Sequence, residues 1–217
     1  MSSSSHDDIL RRTGELFSRK VLEHGATPQG ADWNSEYAQT TRFAQITKIC
    51  PDSEPFSLLD YGCGYGALAD FLRDRAADFR YTGFDVSPEM IRVARDTHAG
   101  LTYVFTQNES ELEQHQYVVE SGIFNRMMDY GRDRWESYIF DTLDRMNALA
   151  SHGMAFNMLT KYSDADRMAE RPDLYFADPE RFFGHCKKSY SRNVALLHDY
   201  DIYEFTILVR KGAVSGR

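Results

Sequence analysis

The chain of 217 residues carries a net charge of −8 and has a sequence pI near 5.4. Its length predicts a single α/β domain with a sizeable core, and a second full domain would not fit comfortably. The acidic balance argues against a broad phosphate-binding surface and therefore against nucleic acid as a partner.

The cysteines and the apolar runs narrow the class further. Cys50, Cys63 and Cys186 are too few and too scattered for a disulfide framework, and the chain has no C-x-x-C pair for zinc. We therefore predict no metal and a reducing, cytoplasmic location. No apolar run reaches the length of a membrane span, and the N-terminus lacks the apolar core of a signal peptide, so no membrane partner is predicted.

The polar opening MSSSSHDD is predicted to be disordered, and the rest of the chain alternates predicted strands and helices. The clearest amphipathic helix covers 134–150, with Trp135, Ile139, Leu143 and Met146 on one face. In chain order the predicted elements are a helix over 35–49, a strand from 56, a helix from 67, a strand over 80–84, a helix from 88, a strand over 101–105, a short helix over 109–114, a strand over 116–120, the helix over 134–150, a turn over 151–153, a strand over 152–159, a helix opened by Asp178, and strands over 191–198 and 203–211.

The stretch FSLLDYGCGYGALADFL, residues 56–72, places three glycines between an apolar run and a helical pattern. The apolar run suits a buried parallel strand, and Gly62, Gly64 and Gly66 remove side chains where the backbone turns and a ligand can approach. A strand, a glycine turn and a helix N-terminus together predict a nucleotide site, the alternative being a tight turn without a ligand. Because the same glycines satisfy the loose pattern G-x-G-x-x-G/A, they do not decide which nucleotide binds.

The next stretch, RYTGFDVSPEMIRVARD, predicts a second strand that ends on Asp85. An acid at this position can accept hydrogen bonds from both ribose hydroxyls, in NAD sites and in adenosylmethionine sites alike. Ser87 is the predicted N-cap of the following helix, with Pro88 at its first position. Met90 lies just inside that helix and either packs on an adenine face or is an ordinary core methionine.

Together, LLDYGCGYG and GFDVSPEMIRVAR resemble motif I and the following acidic motif of the class I S-adenosylmethionine-dependent methyltransferases. The stretches YVVESGIFN and VALLHDYDIYEFTILVRK resemble the fourth strand and the closing hairpin of that fold. The resemblance implies an α/β, Rossmann-like seven-stranded sheet of order 3-2-1-4-5-7-6, with the last strand antiparallel and helices on both faces. It also implies a flexible head and cofactor-covering segment over 1–34 and a single class I methyltransferase domain over 35–217.

The resemblance further implies S-adenosyl-L-methionine as the cofactor, with the glycine loop along its methionine part and the second-strand acid on its ribose. Trp33 would close the site against water or simply anchor its segment, and Gln39 and Arg42 would reach the methionine carboxylate. Gln107 or Asn108 would hold the adenine amino group, or cap a helix instead. The predicted cofactor-binding residues are Trp33, Gln39, Arg42, Asp60, Gly62, Cys63, Gly64, Asp85, Val86, Met90, Gln107, Asn108 and Ser121.

Two longer loops, GIFNRMMDYGRD and TKYSDADRMAERPDLYFAD, are predicted to build the acceptor pocket, because long loops at the ligand-binding edge of a sheet are commonly functional. Their basic and tyrosine side chains would hold a polar or anionic small molecule, or else form a solvated charged surface. His198 and Tyr162 are the predicted catalytic residues, and the alternative for His198 is a strand cap. The predicted substrate-binding residues are Asn125, Tyr162, Tyr175, His198 and Tyr200, and the alternative for Asn125 is a turn-stabilising role.

The predicted function is S-adenosylmethionine-dependent methyl transfer to an oxygen or nitrogen of a polar small molecule, such as a metabolite, a natural product or a sugar. A hydroxyl acceptor would need a general base more than a neutral amine would. Two alternatives remain open, an NAD-linked oxidoreductase and a non-catalytic adenosylmethionine-binding protein. We predict a monomer or a homodimer, and the sequence does not identify the acceptor.

Overall fold

The computed structural model describes residues 3–75 and 78–212. The strands are β1 Phe56–Tyr61, β2 Phe79–Phe84, β3 Val104–Thr106, β4 His115–Ser121, β5 Ala150–Leu159, β6 Asn193–Leu197 and β7 Glu204–Arg210. The α-helices are α1 Ser3–His24, α2 Glu36–Ile46, α3 Ala67–Arg73, α4 Pro88–Thr97, α5 Arg132–Leu149, α6 Ala165–Glu170 and α7 Pro179–Ser189. Short 3₁₀ helices cover Gln29–Ala31, Thr47–Ile49 and Glu109–Glu111.

The strands form a seven-stranded sheet of order β3-β2-β1-β4-β5-β7-β6, with helices on both sides. The pairs β1–β2, β2–β3 and β4–β5 are parallel, whereas β7 runs antiparallel to both β5 and β6. The predicted sheet order and the antiparallel closing strand are therefore confirmed. In an open parallel sheet, ligands bind outside the carboxyl ends of the strands, and this edge positions the candidate site.

The described residues fall into two compact units. The first contains the residues up to Phe43 and those from Pro51 to Glu113, and the second contains Ala44–Cys50 and the residues from Gln114 onward. The first unit holds α1, α2 up to Phe43, α3, α4 and the strands β1, β2 and β3. The second unit holds the remaining strands and helices, including the closing hairpin.

In place of the flexible head predicted for residues 1–34, the structure has helix α1. The helix begins at Ser3, within the polar opening, and residues 1–2 lie outside the described part of the chain. The side chains of Ile9 and Val21 are buried. Burial of an amphipathic face stabilises a helix even where composition alone predicts disorder. The composition of MSSSSHDD does not reveal this packing contribution.

The amphipathic helix predicted over 134–150 is confirmed as α5. All the apolar side chains that the 3.6-residue period places on one face are buried, and the Trp135 indole N–H donates to the carbonyl of Phe124 at 3.0 Å. The buried apolar residues of this face are Trp135, Ile139, Leu143, Met146 and Leu149.

The turn predicted over 151–153 is wrong, because these residues belong to β5. Gly153 pairs with Arg210 of β7, and a Cβ at Gly153 would lie 2.8 Å from the carbonyl oxygen of Val209 and 3.0 Å from Ile49. Gly153 therefore permits close packing within a strand. Close approach of a neighbouring backbone is, besides a turn, a common reason for a glycine in a strand sequence.

Candidate functional site

The glycine loop leaves β1 with Gly62, Gly64 and Gly66 all in the left-handed region, at φ of 91°, 54° and 88°. A Cβ at Gly66 would lie 2.7 Å from the ring of His98, so this position requires glycine for packing. A Cβ at Gly64 would meet nothing closer than the Sδ atom of Met90 at 3.8 Å. Gly64 therefore presents bare backbone with room beside it, which is what a bound ligand requires.

Asp85, the acid at the end of β2, lies against this loop. Its Oδ2 atom accepts from the backbone N–H of Gly64 at 2.9 Å, and its Oδ1 atom accepts from the backbone N–H of Ser87 at 2.8 Å. The side chain thus ties the glycine loop to the start of α4. Each carboxylate oxygen can accept more than one hydrogen bond, so two ligand hydroxyls can still be bound.

Burial affects the charge of Asp85. Desolvation raises the pKa of Asp85 to about 6, although the hydrogen bonds from Ser87 and Gly64 act in the opposite direction. The carboxylate is nearly enclosed, with 9% of the residue exposed. Asp85 is therefore a buried acid that stabilises the loop, as well as a candidate for binding the ligand. The sequence did not indicate the first of these two roles.

Asp60 lies deeper than a ligand-contacting acid would. It is 3% exposed, and one carboxylate oxygen accepts from the phenol of Tyr81 at 2.6 Å. Desolvation raises the pKa of Asp60 to about 7, with a further increase from the charge of Asp85 and a decrease from the Tyr81 hydrogen bond. In the structure the Asp60 side chain links β1 to β2 through its buried hydrogen bond with Tyr81.

We expect Asp60→Asn to change how stability depends on pH. Because the pKa of Asp60 is higher in the folded state than its ordinary value of 3.8, its contribution to stability is full below about pH 4 and is lost as pH rises through about 7. From pH 4.5 to pH 8 the wild type should lose about 2–4 kcal/mol relative to Asp60→Asn. Urea unfolding across this range measures the difference, with the exposed Asp96→Asn as control, and parallel curves for wild type and Asp60→Asn would contradict the assignment.

The start of α4 confirms the predicted cap. The Ser87 hydroxyl accepts from the backbone N–H of Met90 at 3.1 Å, and it contacts the hydroxyl of Ser18 in α1 at 2.8 Å. A Cβ at Gly14 would lie 3.0 Å from the carbonyl oxygen of Val86, so α1 packs closely on the segment that joins β2 to α4. The sequence did not reveal these contacts of Ser18 and Gly14, because contacts between residues so far apart in the chain leave no periodic signal.

Met90 and Cys63 are both buried. Met90 packs with Val21 and Tyr65 in a small apolar cluster, and its sulfur is the atom that faces the open side of Gly64. Burial raises the pKa of the Cys63 thiol well above its ordinary value, so this cysteine stays protonated and unreactive. A Cβ at Gly83 would lie 2.8 Å from the Cys63 sulfur, which means that Cys63 fills space beneath the loop.

The two polar residues after β3 differ in their contacts. The Asn108 side chain caps the 3₁₀ helix Glu109–Glu111 by accepting from the backbone N–H of Ser110 at 3.1 Å. Both residues are exposed, and the Gln107 amide donates to the carbonyl of Val86 at 3.1 Å. The Asn108 amide also donates to Glu111 at 3.1 Å, so Gln107 has fewer contacts within the chain that a ligand would have to replace.

Gln39 and Arg42, the residues predicted near the methionine carboxylate, both contact aromatic side chains of the first unit. The Gln39 amide donates to the phenol of Tyr65 at 3.1 Å, and both side chains are buried. The guanidinium of Arg42 lies 4.2 Å from the ring centre of Trp33. This stacking fixes the Arg42 side chain over Trp33, so both alternatives for Trp33, an anchor and a cover, stay compatible with the structure.

In the second unit, Asn125 connects three segments. Its Oδ1 atom accepts from the backbone N–H of Leu159 at the end of β5, at 2.9 Å, and its Nδ2 atom donates to Glu204 at the start of β7, at 3.2 Å. All three residues are buried. The amide of Asn125 thus fixes the segment after β4, in keeping with the turn-stabilising alternative, and Glu204 is a buried acid that the sequence reading missed.

Tyr175 and Tyr200 are also engaged within the second unit. Tyr175 is 1% exposed, and its phenol donates to Glu136 at 2.7 Å beneath the guanidinium of Arg132. Burial and the bond to Glu136 raise the pKa of Tyr175. The Tyr200 hydroxyl contacts that of Thr206 at 2.8 Å.

Tyr162 and His198, the two predicted catalytic residues, lie close to each other in the second unit. Their ring centres lie 5.9 Å apart, and both side chains are exposed. They follow β5 and β6, whose carboxyl ends lie on the same edge because both strands run antiparallel to β7. The Tyr162 phenol donates to Glu180 at 2.6 Å, and this bond raises the pKa of Tyr162. A phenol whose pKa is raised is a poor general base, so His198 is the stronger candidate of the two.

The basic side chains of the two acceptor-side loops have partners within the chain. Lys161 lies 2.9 Å from Asp178 and 3.1 Å from Glu180, and Arg126 and Arg171 both pair with Asp173. An anionic ligand bound by these cations would therefore compete with existing ion pairs, which the loop sequences alone did not show.

The described part of the chain contains no group of three His, Cys, Asp or Glu side chains arranged to hold a metal ion. Among residues 3–75 and 78–212, no helix is both long and apolar enough to cross a membrane.

Known proteins resemble this chain in sequence and in fold. A family model described as "Methyltransferase domain" matches residues 58–153. "Putative methyltransferase Rv1506c" of Mycobacterium tuberculosis is 47% identical over 167 residues, which are 76% of this chain and 99% of that protein.

Two solved structures share the fold at low sequence identity. Magnesium protoporphyrin IX methyltransferase (ChlM) from Synechocystis, with bound S-adenosylhomocysteine, gives a TM-score of 0.61 at 16% identity and covers 94% of this chain and 97% of its own. The N-methyltransferase NodS from Bradyrhizobium japonicum, also with S-adenosylhomocysteine, gives 0.62 at 15% identity and covers 93% and 99%.

Proposed function

The chain belongs to the class I S-adenosylmethionine-dependent methyltransferases, and from that premise we propose that it methylates an oxygen or nitrogen of a polar small molecule. The observation that carries the acceptor proposal is the exposed pair of Tyr162 and His198 at the carboxyl ends of β5 and β6. Two side chains of this size offer a contact surface suited to a small molecule.

The residues of the first unit fit the cofactor. Gly64 offers bare backbone with free space, and Asp85 beside it has acceptor capacity left for the two ribose hydroxyls. Gln107 is the exposed amide that would contact the adenine. When bound, S-adenosylmethionine supplies a methyl group activated by its positively charged sulfur, so the protein contributes mainly binding and orientation.

On the acceptor side, His198 would accept the proton of a hydroxyl acceptor at an imidazole nitrogen. Tyr162 would contact the acceptor with its ring while its phenol stays bonded to Glu180. Asn125 would act indirectly by fixing the segment after β4 to the ends of β5 and β7. With a neutral amine as acceptor, binding and orientation would matter more than proton removal.

A labelling experiment tests the acceptor class. We would incubate the protein with S-adenosylmethionine that carries a tritiated methyl group and with cell lysate, and then separate the small-molecule filtrate from the retained macromolecules. We expect label in the filtrate that depends on the enzyme. Label found only in retained protein or nucleic acid would overturn the small-molecule proposal.

Gly64→Ala tests the cofactor site against a matched glycine. Gly64 and Gly100 both have positive φ, and an added Cβ would meet no atom closer than 3.8 Å at Gly64 and none within 4 Å at Gly100. Both alanine variants therefore carry similar backbone strain, of order 1 kcal/mol. We expect Gly64→Ala alone to weaken S-adenosylmethionine binding, by about tenfold, in isothermal titration calorimetry. Equal affinities in the two variants would mean that the open side of Gly64 does not face the ligand.

A further inference from the structure

A buried acceptor atom without a partner lies beside the carboxyl end of β4. Asn157 is fully buried in β5, and no described residue forms a hydrogen bond with its Oδ1 atom. In the parallel register it lies opposite Ser121, the last residue of β4. Because an unmet buried acceptor destabilises the folded state, nearly all such atoms in proteins have a partner. The Oδ1 atom of Asn157 therefore lacks a donor among residues 3–75 and 78–212.

Hydrogen bonds to Glu120 fix the backbone beside this atom. The Glu120 carboxylate is fully buried and accepts from the backbone N–H of Asn157 at 3.0 Å and from that of Ile123 at 3.1 Å. These two bonds join β5 to the segment that follows β4. The Nδ2 atom of Asn157 donates to the hydroxyl of Ser121 at 3.3 Å. The neighbouring Asn125 provides a contrast, because both ends of its amide are bonded within the chain.

The orientation of the amide determines which kind of group is missing. With Nδ2 on Ser121, one acceptor atom remains unmet. The reversed amide would accept from the Ser121 hydroxyl and would place the NH₂ group, with both of its N–H donors unmet, at the other position. In the orientation that the structure shows, Oδ1 is the unmet atom, so the missing partner of Asn157 is a hydrogen-bond donor.

Building on the proposed function, we infer that Asn157 binds a ligand of the transfer reaction, with Oδ1 accepting from an N–H or O–H group. Two groups have this chemistry, the ammonium of the cofactor's amino-acid part and the nucleophilic group of the acceptor. The position suits both, since Ser121 ends β4 at the ligand-binding edge of the sheet. In the ligand-free chain Oδ1 is closed to solvent, so the ligand displaces the groups that cover it, as side chains commonly move on binding.

Asn157→Leu tests the inference because leucine has the same branching and no polar atoms. If Oδ1 serves a ligand, its removal relieves an unmet group, and the urea midpoint of the variant should equal or exceed that of the wild type. Ligand function should fall by about tenfold or more. Should the leucine variant fail to fold, Asn157→Ala, which fits any space that asparagine occupies, is measured for ligand function alone, because the cavity that it leaves lowers the urea midpoint.

Thr142→Val is the matched control, because it removes a buried hydroxyl whose hydrogen bond to the carbonyl of Tyr138, at 2.8 Å, is satisfied. It should lower the urea midpoint and leave ligand function unchanged. The control thus separates loss of a structural hydrogen bond from loss of a ligand contact.

Two assays distinguish the sources of the donor. Weaker S-adenosylmethionine binding by Asn157→Leu in calorimetry assigns the donor to the cofactor. Unchanged binding with slower labelling of the lysate filtrate at saturating S-adenosylmethionine assigns it to the acceptor. Wild-type values in both assays would refute the inference and leave a buried water as the donor. If the wild type itself labels nothing in the filtrate, the proposed function fails, and the inference is decided by the calorimetry alone.

Discussion

Replacing Asp85 with alanine is expected to weaken S-adenosylmethionine binding by about ten- to a hundredfold or more and to destabilise the fold by roughly 1–3 kcal/mol. The loss of affinity follows from losing the acceptor for the ribose hydroxyls. The loss of stability follows from the backbone N–H groups of Gly64 and Ser87, which the carboxylate now satisfies and which alanine would leave unmet. Calorimetry and urea unfolding on the same preparation measure the two effects.

Two further variants separate these effects. Asp85→Asn keeps one acceptor oxygen, so it can satisfy only one of the two backbone N–H groups, and it should retain part of the stability while binding the cofactor more weakly. Asp96→Ala removes an exposed acid of α4 and should change neither quantity. A folded Asp85→Ala protein with wild-type affinity would show that the second-strand acid does not bind the ribose.

The pH dependence of binding gives a second readout for Asp85. Because its pKa is raised to about 6, the carboxylate becomes protonated as the pH falls below that value and loses acceptor capacity. Affinity for S-adenosylmethionine should therefore rise with pH through about 6 in the wild type and remain flat in Asp85→Asn. Equal pH profiles would mean that another group controls binding.

The parts of the cofactor site that could be predicted are those that neighbouring residues determine. The strand, glycine loop and helix around Gly64 follow from local patterns, and so does the Ser87 cap with Pro88 behind it. These local predictions match the structure because the contacts that they imply are made by the same few neighbouring residues. The sheet order came from resemblance to a family, since periodicity does not specify which strands are neighbours.

The contacts that escaped prediction join residues distant in sequence. Asp60 bonds to Tyr81, and Asn125 bonds to Glu204. No local pattern records such pairs, so the sequence shows an acid or an amide without showing whether it faces a ligand or the core. Tyr162 and Tyr175 illustrate this, because similar loop residues became one exposed ring and one buried ring.

Replacing His198 with glutamine is expected to slow methyl transfer by roughly a hundredfold or more if the acceptor is a hydroxyl, because a general base contributes at least this much. The structure supports His198 with ring contacts from Tyr162 and from Phe205, whose ring centre lies 6.2 Å away. Among the described residues, no carboxylate lies within hydrogen-bond distance of the imidazole, and Asp199 next to it in sequence is exposed. The imidazole of His198 is therefore positioned by packing and not by a carboxylate. If it acts as the base, Tyr162→Ala should also slow transfer, whereas Tyr162→Phe, which keeps the ring, should have a smaller effect.

Single-turnover labelling of the lysate filtrate measures the His198 effect apart from binding. Affinity for S-adenosylmethionine should stay within about twofold of the wild type, because only the acceptor step is removed. His152→Gln provides the matched control, since His152 is an exposed histidine near the start of β5, at the opposite edge of the sheet from the carboxyl ends. Transfer by His198→Gln at the wild-type rate would exclude His198 as the base and would favour an amine acceptor, whose methylation depends on orientation more than on proton removal.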